Sequence, residues 1–210
     1  RVMEHFVRIE GIAAPMLRIN IDTDQIIPAK HLVRTSYRGI GEGLFSAWRL
    51  RPDGSPQPDF ILNKEPWTKS AILLADSNFG CGSSREGAPK ALRDWGIRSV
   101  IAPSFSGIFF NNSFRNGLLP VELPIEQIRI IAGEVEASGG HGKVVVDLDA
   151  QTVTSPTGTV FAFRSPPVLR RMLLEGVDEI DLTLKMSAEI EQFRAADRGK
   201  RPWAYRPGKV

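Results

Sequence analysis

Asn78-Phe79-Gly80-Cys81-Gly82-Ser83-Ser84-Arg85-Glu86 stands between two segments of different periodicity. Before it, the apolar run Ala71-Ile72-Leu73-Leu74-Ala75 reads as a buried strand. After it, Ala88, Ala91, Leu92 and Trp95 fall at helical spacing, and Gly96 is a stop signal. A strand therefore enters a glycine-rich loop, and the loop opens a helix. Glycines allow tight turns and close approach of a ligand. Free N–H groups and the dipole at a helix start attract an anion. Ser83, Ser84 and Arg85 are predicted to sit in that first turn. Two hydroxyls and a guanidinium fork suit a carboxylate or a phosphate. The same residues also read as a plain capped helix start, with Ser83 or Ser84 as N-cap.

Several known loops are excluded. No Gly-Lys-Ser/Thr follows, so this is not a Walker A loop. Arg85 stands where a dinucleotide fingerprint needs its third glycine. No glycine flanks the serines on the far side, as a nucleophile elbow requires.

Outward from the loop, Ser99 to Ala102 and Leu118 to Leu123 read as further strands. A helix over Ile108, Phe109 and Phe114, opened by Ser106 and ended by Asn116-Gly117, lies between them. Strand–helix–strand–helix–strand predicts a parallel sheet, with Asn78 to Arg85 and Ser104 to Ser106 on one rim. Upstream, Phe6 to Ile9 and Pro15 to Ile21 are expected strands, the second from alternation of Leu17, Ile19 and Ile21. Asp22-Thr23-Asp24 closes it as a turn or helix cap. Val33 to Pro66 is rich in Gly, Pro and Arg, a composition typical of mobile functional loops, with one short helix near Leu44, Phe45 and Trp48. Downstream, Pro124 opens a helix at N1 and Lys143 to Leu148, Thr152 to Thr154 and Thr159 to Phe163 form hairpins. Ser165 caps a helix closed by Gly176, and Ser187 to Ala196 is the last helix. One domain over 1–199 is expected. Lys200 to Val210 is an extension that cannot pack on itself and is flexible or partner-bound.

The 210 residues are 42% hydrophobic and 24% charged, values of an ordinary globular protein. No apolar run reaches membrane-span length and no signal-peptide core is visible, so a cytoplasmic location is expected. A net charge of +3, much of its excess near the C-terminus, gives no basic stripe for nucleic acid. Cys81 is the single cysteine, which excludes an internal disulfide and cannot hold an iron–sulfur cluster alone. His5, His31 and His141 are far apart, so no metal ligand set is read in this chain.

Phe79-Gly80-Cys81-Gly82-Ser83-Ser84-Arg85-Glu86 resembles the signature of the aconitase superfamily swivelling domain. Asp22-Thr23-Asp24-Gln25-Ile26-Ile27-Pro28 resembles a second signature of that family. Ala102-Pro103-Ser104-Phe105, Asn111-Asn112-Ser113-Phe114 and Asn116-Gly117-Leu118-Leu119-Pro120-Val121 resemble a third. The length and Gly176 to Leu184 resemble the small subunits of bacterial-type 3-isopropylmalate dehydratases. The resemblance implies an α/β fold, a swivelling β/β/α three-layer domain of aconitase type. It implies a hydro-lyase of leucine biosynthesis, active only as a heterodimer with a large subunit that carries a 4Fe-4S cluster. It assigns Ser83 as catalytic base, and Arg85, Ser84 and Asp24 to an alkylmalate substrate. Arg34 and Arg38 belong to the Gly-rich loop Val33 to Gly43, a candidate for reading the substrate's alkyl group because the corresponding region of the family faces the substrate pocket. Gly87, Lys90 and Gly107 depart from its pattern, standing where a histidine, a bulky aromatic and an acidic residue are usual. A related alkylmalate of citramalate, dimethylmalate or homoaconitate type therefore stays open. So does a non-catalytic anion-binding or regulatory domain.

Overall fold

The computed structural model describes residues 4–32, 39–177, 180, 183–184 and 186–205. They fall into two compact units, Arg1–Gly176 and Val177–Val210, and each is described by itself.

The first unit is built on a seven-stranded sheet in the order β4-β3-β2-β1-β5-β6-β7. The strands are β1 Arg8–Met16, β2 Ile72–Ala75, β3 Ser99–Ala102, β4 Leu119–Glu122, β5 Lys143–Asp147, β6 Thr152–Thr154 and β7 Val160–Ala162. β1 divides its pairing. Arg8 to Ile12 runs antiparallel to β5, and Ala13 to Met16 runs parallel to β2. Gly11 lies beside the changeover, where a Cβ would stand 2.8 Å from that of Ala71. β2, β3 and β4 continue in parallel, whereas β5, β6 and β7 are joined by tight antiparallel turns. The expected parallel region and hairpin-rich half are both present.

Helices cover the parallel strands because their apolar positions repeat with the helical period. The helices of this unit are α1 Thr23–Ile26, α2 Ser46–Arg49, α3 Gly87–Trp95, α4 Gly107–Arg115, α5 Ile125–Ala137 and α6 Pro167–Glu175. Ala88, Ala91 and Leu92 of α3 join Leu73, Ala75, Val100 and Ala102 in one core. Ile128, Ile131 and Val135 of α5 join Ile72, Leu74, Ile101, Val144 and Val146 in the other. Truncating one such side chain, Ile131→Ala for example, would cost about 2–5 kcal/mol. Gly96 ends α3 with φ 114°, and its N–H returns to Arg93 O.

Several local expectations are corrected. Only one strand, β1, spans the first segment. Leu17 and Ile19 are exposed on a turn while Ile21 is buried, so their alternation marks no strand. Neither serine caps α3: its N-cap is Glu86, without a side-chain bond, and the serines precede the first turn. Pro124 and Pro166 occupy the N-cap positions of α5 and α6, one place earlier than Pro124 was expected and one place later than Ser165. The 39–66 stretch is well packed, with Ile40, Leu44, Phe45, Phe60 and Leu62 in the first core. Gly41 N–H donates to Asp94 Oδ2 at 2.8 Å, tying this stretch to α3. Arg34 and Arg38 lie outside the described residues.

In the second unit, α7 spans Ser187–Lys200 and leads into a turn over Pro202–Tyr205. Asp197 accepts from Arg201 Nε at 2.7 Å, Arg201 Nη2 at 2.9 Å and Tyr205 Oη at 2.9 Å. From Arg201 through Tyr205 the chain folds back on α7, because one carboxylate gathers two later side chains. Phe193 on the expected apolar side of α7 is exposed.

Candidate active site

The candidate site forms where two loops meet at the C-terminal ends of β1 and β2. Asp22 caps α1: its carboxylate accepts from Gln25 N–H at 2.7 Å, and Gln25 Oε1 accepts from Asp22 N–H at 2.9 Å. This reciprocal capping box fixes the start of a helix too short to hold itself. The capped turn then grips the glycine-rich loop. Gly80 N–H donates to Ile21 O at 2.7 Å, and Thr23 N–H donates to Cys81 O at 2.9 Å. Buried Thr23 adds its hydroxyl, which donates to Ser83 O at 2.8 Å.

The loop's other side is held by the segment after β3. Asn78 N–H donates to Ser104 Oγ at 2.9 Å, Phe79 N–H to Ser104 O at 3.1 Å, and Ser106 N–H to Phe79 O at 3.0 Å. The expected common rim is thus joined by hydrogen bonds. Phe79 is buried beneath it, edge-on to Phe105 and Phe109. Gly80 is required here for two reasons. Its φ is +73°, and a Cβ would come 2.2 Å from Phe109 Cγ.

On this platform Ser83 and Ser84 are exposed, and Arg85 is half-buried. Arg85 Nη1 donates to Asp24 Oδ1 at 2.5 Å and to Ile27 O at 3.3 Å. Ser83, Arg85 and Asp24 are therefore brought to one place. Asp24 approaches Arg85 directly, so it stands beside the guanidinium as a counter-charge. Thr23, which holds the glycine-rich loop through two hydrogen bonds, is not singled out in the sequence. Its position inside the Asp22-Thr23-Asp24 signature was the available signal. The loop's single cysteine, Cys81, is partly exposed. Among the described residues, no group of three or more His, Cys, Asp or Glu side chains is arranged to hold a metal.

The model of the aconitase C-terminal domain matches residues 3–126, and a second family model, LeuD_N, matches 131–164. A 3-isopropylmalate dehydratase small subunit of Cupriavidus necator is 50% identical over 98% of this chain and 100% of its own length. The chain belongs to the 3-isopropylmalate dehydratase small-subunit family. A small subunit of Roseobacter denitrificans is 46% identical over 96% of the chain and all of its own length. A crystal structure of 3-isopropylmalate dehydratase (LeuD) from Methanocaldococcus jannaschii covers 88% of this chain and 99% of its own, at a TM-score of 0.64 and 26% identity. The α/β fold with its mixed sheet is the fold of this family.

The three departures from the family pattern differ in their surroundings. At Gly87 a Cβ would meet Leu32 Cδ2 at 2.3 Å, so Leu32 fills the space in which a histidine would begin. At Gly107 nothing lies within 4 Å of that position. Lys90, on α3, pairs with Glu86 at 2.8 Å.

Proposed function

We propose that this chain is the small subunit of a 3-isopropylmalate dehydratase, interconverting 2- and 3-isopropylmalate in the cytoplasm together with an iron–sulfur large subunit. The observation that carries this reading is the pairing of Arg85 with Asp24 beside exposed Ser83, in a chain of this family.

The reaction removes a proton from a carbon next to a carboxylate and a hydroxyl from the neighbouring carbon. Ser83 is the base, acting as an alkoxide that accepts the proton at Oγ. Arg85 grips a substrate carboxylate. Asp24 and Ile27 O use Nη1, which leaves Nη2 and Nε for a two-point contact. Ser84 donates to the same carboxylate. Asp24 sets the angle of the fork and moderates its charge. The guanidinium also lowers the cost of the anion on Ser83.

A single cysteine does not fit a cluster held by several thiolates, so this chain supplies no cage for one. On this reading the 4Fe-4S cluster belongs to the large subunit, whose chemistry there is Lewis-acid assistance to the departing hydroxyl. Leu32 packed against Gly87 favours a second reading of the pocket, in which a related alkylmalate is preferred. Arg34 and Arg38, next in sequence to that contact, remain proposed readers of the alkyl group. The test is reconstitution with the large subunit and assay on a panel of 2- and 3-alkylmalates. Turnover of isopropylmalate above the others supports the first reading. Preference for citramalate or dimethylmalate supports the second, and activity of this chain alone would overturn both.

A further inference from the structure

A second cleft, of about 500 Å³, opens at the ends of β3 and β4. Phe105, Gly107, Phe110, Glu122, Arg164 and Ser165 line it. Glu122 and Arg164 are both exposed, and neither side chain has an ion-pair or hydrogen-bond partner among the described residues. Opposite charges that share a cleft without meeting are complementary to a molecule carrying both signs. In the same cleft the rings of Phe105 and Phe110 form an apolar corner, centroids 6.0 Å apart and tilted by 52°. Gly107 keeps the mouth clear, since no atom lies within 4 Å of where its Cβ would stand. Ser165 Oγ is shut off from solvent without a partner, a cost that a ligand oxygen would remove.

We propose that this cleft binds a free α-amino acid with an apolar side chain. The carboxylate meets Arg164 and, after a turn about χ1, the hydroxyl of Ser165. The ammonium meets Glu122, and the side chain lies in the Phe105–Phe110 corner. A dicarboxylate would bring its second charge against Glu122, and a simple amine would meet Arg164. The cleft therefore selects a different ligand class from the loop that carries Ser83 and Arg85. The aromatic wall joins the two: Phe105 stacks on Phe109, the ring against which Gly80 is packed.

Calorimetric titration of the full chain with L-phenylalanine, phenethylamine and 3-phenylpropanoate tests this, with Phe105 and Phe110 ring resonances as a second readout. L-phenylalanine should bind saturably at one site and shift those resonances. Each analogue lacking one charge should bind at least about tenfold more weakly, as expected when a charge-assisted contact is lost. Glu122→Gln and Arg164→Gln should each weaken binding by a similar factor. Both side chains are exposed, so circular dichroism should be unchanged. Gly107→Asp should abolish binding by filling the mouth with a carboxylate. No saturable binding, equal affinity for all three probes, or indifference to the two charge substitutions would overturn the proposal.

Discussion

Arg85 reaches across the site to Asp24, 2.5 Å from nitrogen to oxygen, although 61 positions separate them in the chain. The pair is asymmetric in solvent. The arginine side chain is 17% exposed and the aspartate 57%. An exposed partner weakens the energetic worth of such a contact, to about 0–1 kcal/mol. Its value is thus in aim more than in stability. Asp24→Asn should leave the melting temperature close to wild type and raise KM about tenfold in the reconstituted enzyme. A loss of stability with unchanged KM would mark the pair as structural.

Ser83→Ala should lower kcat by about 10³-fold or more, with little change in KM. Because Glu86 caps α3 and makes no side-chain cap bond, removing the serine hydroxyl costs no helix cap. The melting temperature should not move. Arg85→Lys keeps the charge and loses the fork, so KM should rise strongly. Steady-state kinetics on complex of verified assembly separates the two roles, and near-normal turnover for Ser83→Ala would remove it as the base.

Two glycines of positive φ offer a controlled comparison. Gly80→Ala meets both backbone strain and the Phe109 ring at 2.2 Å, and should cost about 3 kcal/mol. Gly96→Ala meets the strain alone, since nothing lies within 4 Å, and should cost about 1 kcal/mol. Urea titration of both variants checks the difference. Gly80→Ala should also reduce turnover by shifting the loop that carries Ser83.

The turn after α7 should respond to acid. Hydrogen bonds from Arg201 and then Tyr205 hold the Asp197 carboxyl below its ordinary value of 3.8. A depressed native pKa contributes stability that is present above the unfolded value and lost as pH falls through the folded one. The turn should therefore be intact at neutral pH and release only below about 3.8. Carbon-detected NMR of the Asp197 carboxyl, alongside the Tyr205 ring, follows this directly. Asp197→Asn should release the turn at pH 7.

The parallel strands were legible because Ala71 to Ala75, Ser99 to Ala102 and Leu118 to Leu123 are apolar runs bounded by turn residues. β1 was harder. Its residues combine Arg8 and Glu10 at one end with Ala13 and Ala14 at the other, so neither alternation nor a continuous run marks it. Alternation in Leu17, Ile19 and Ile21 gave a false strand, since two of the three face solvent. In the candidate site, residue types were legible while contacts were not. Asp24 carries no local sign that its neighbour is Arg85, because only the sheet brings the two loops together. Thr23 offered only its place in the Asp22-Thr23-Asp24 signature, because its hydroxyl bonds a backbone carbonyl, which has no residue type to read.

The divided pairing of β1 also sets an order of events during synthesis. Arg8 to Ile12 leaves the ribosome well over a hundred residues before its partner in the sheet, Lys143–Asp147. The C-terminal half of β1 can dock on β2 much earlier, so a nascent chain carries a strand that is satisfied at one end and bare at the other. A bare strand edge is a template for pairing with neighbouring chains, and charges on it discourage such pairing. Arg8 and Glu10, both exposed and paired with each other at 3.3 Å, sit on that waiting half. Both charges oppose edge-to-edge pairing with another chain while that half of β1 waits for Lys143–Asp147.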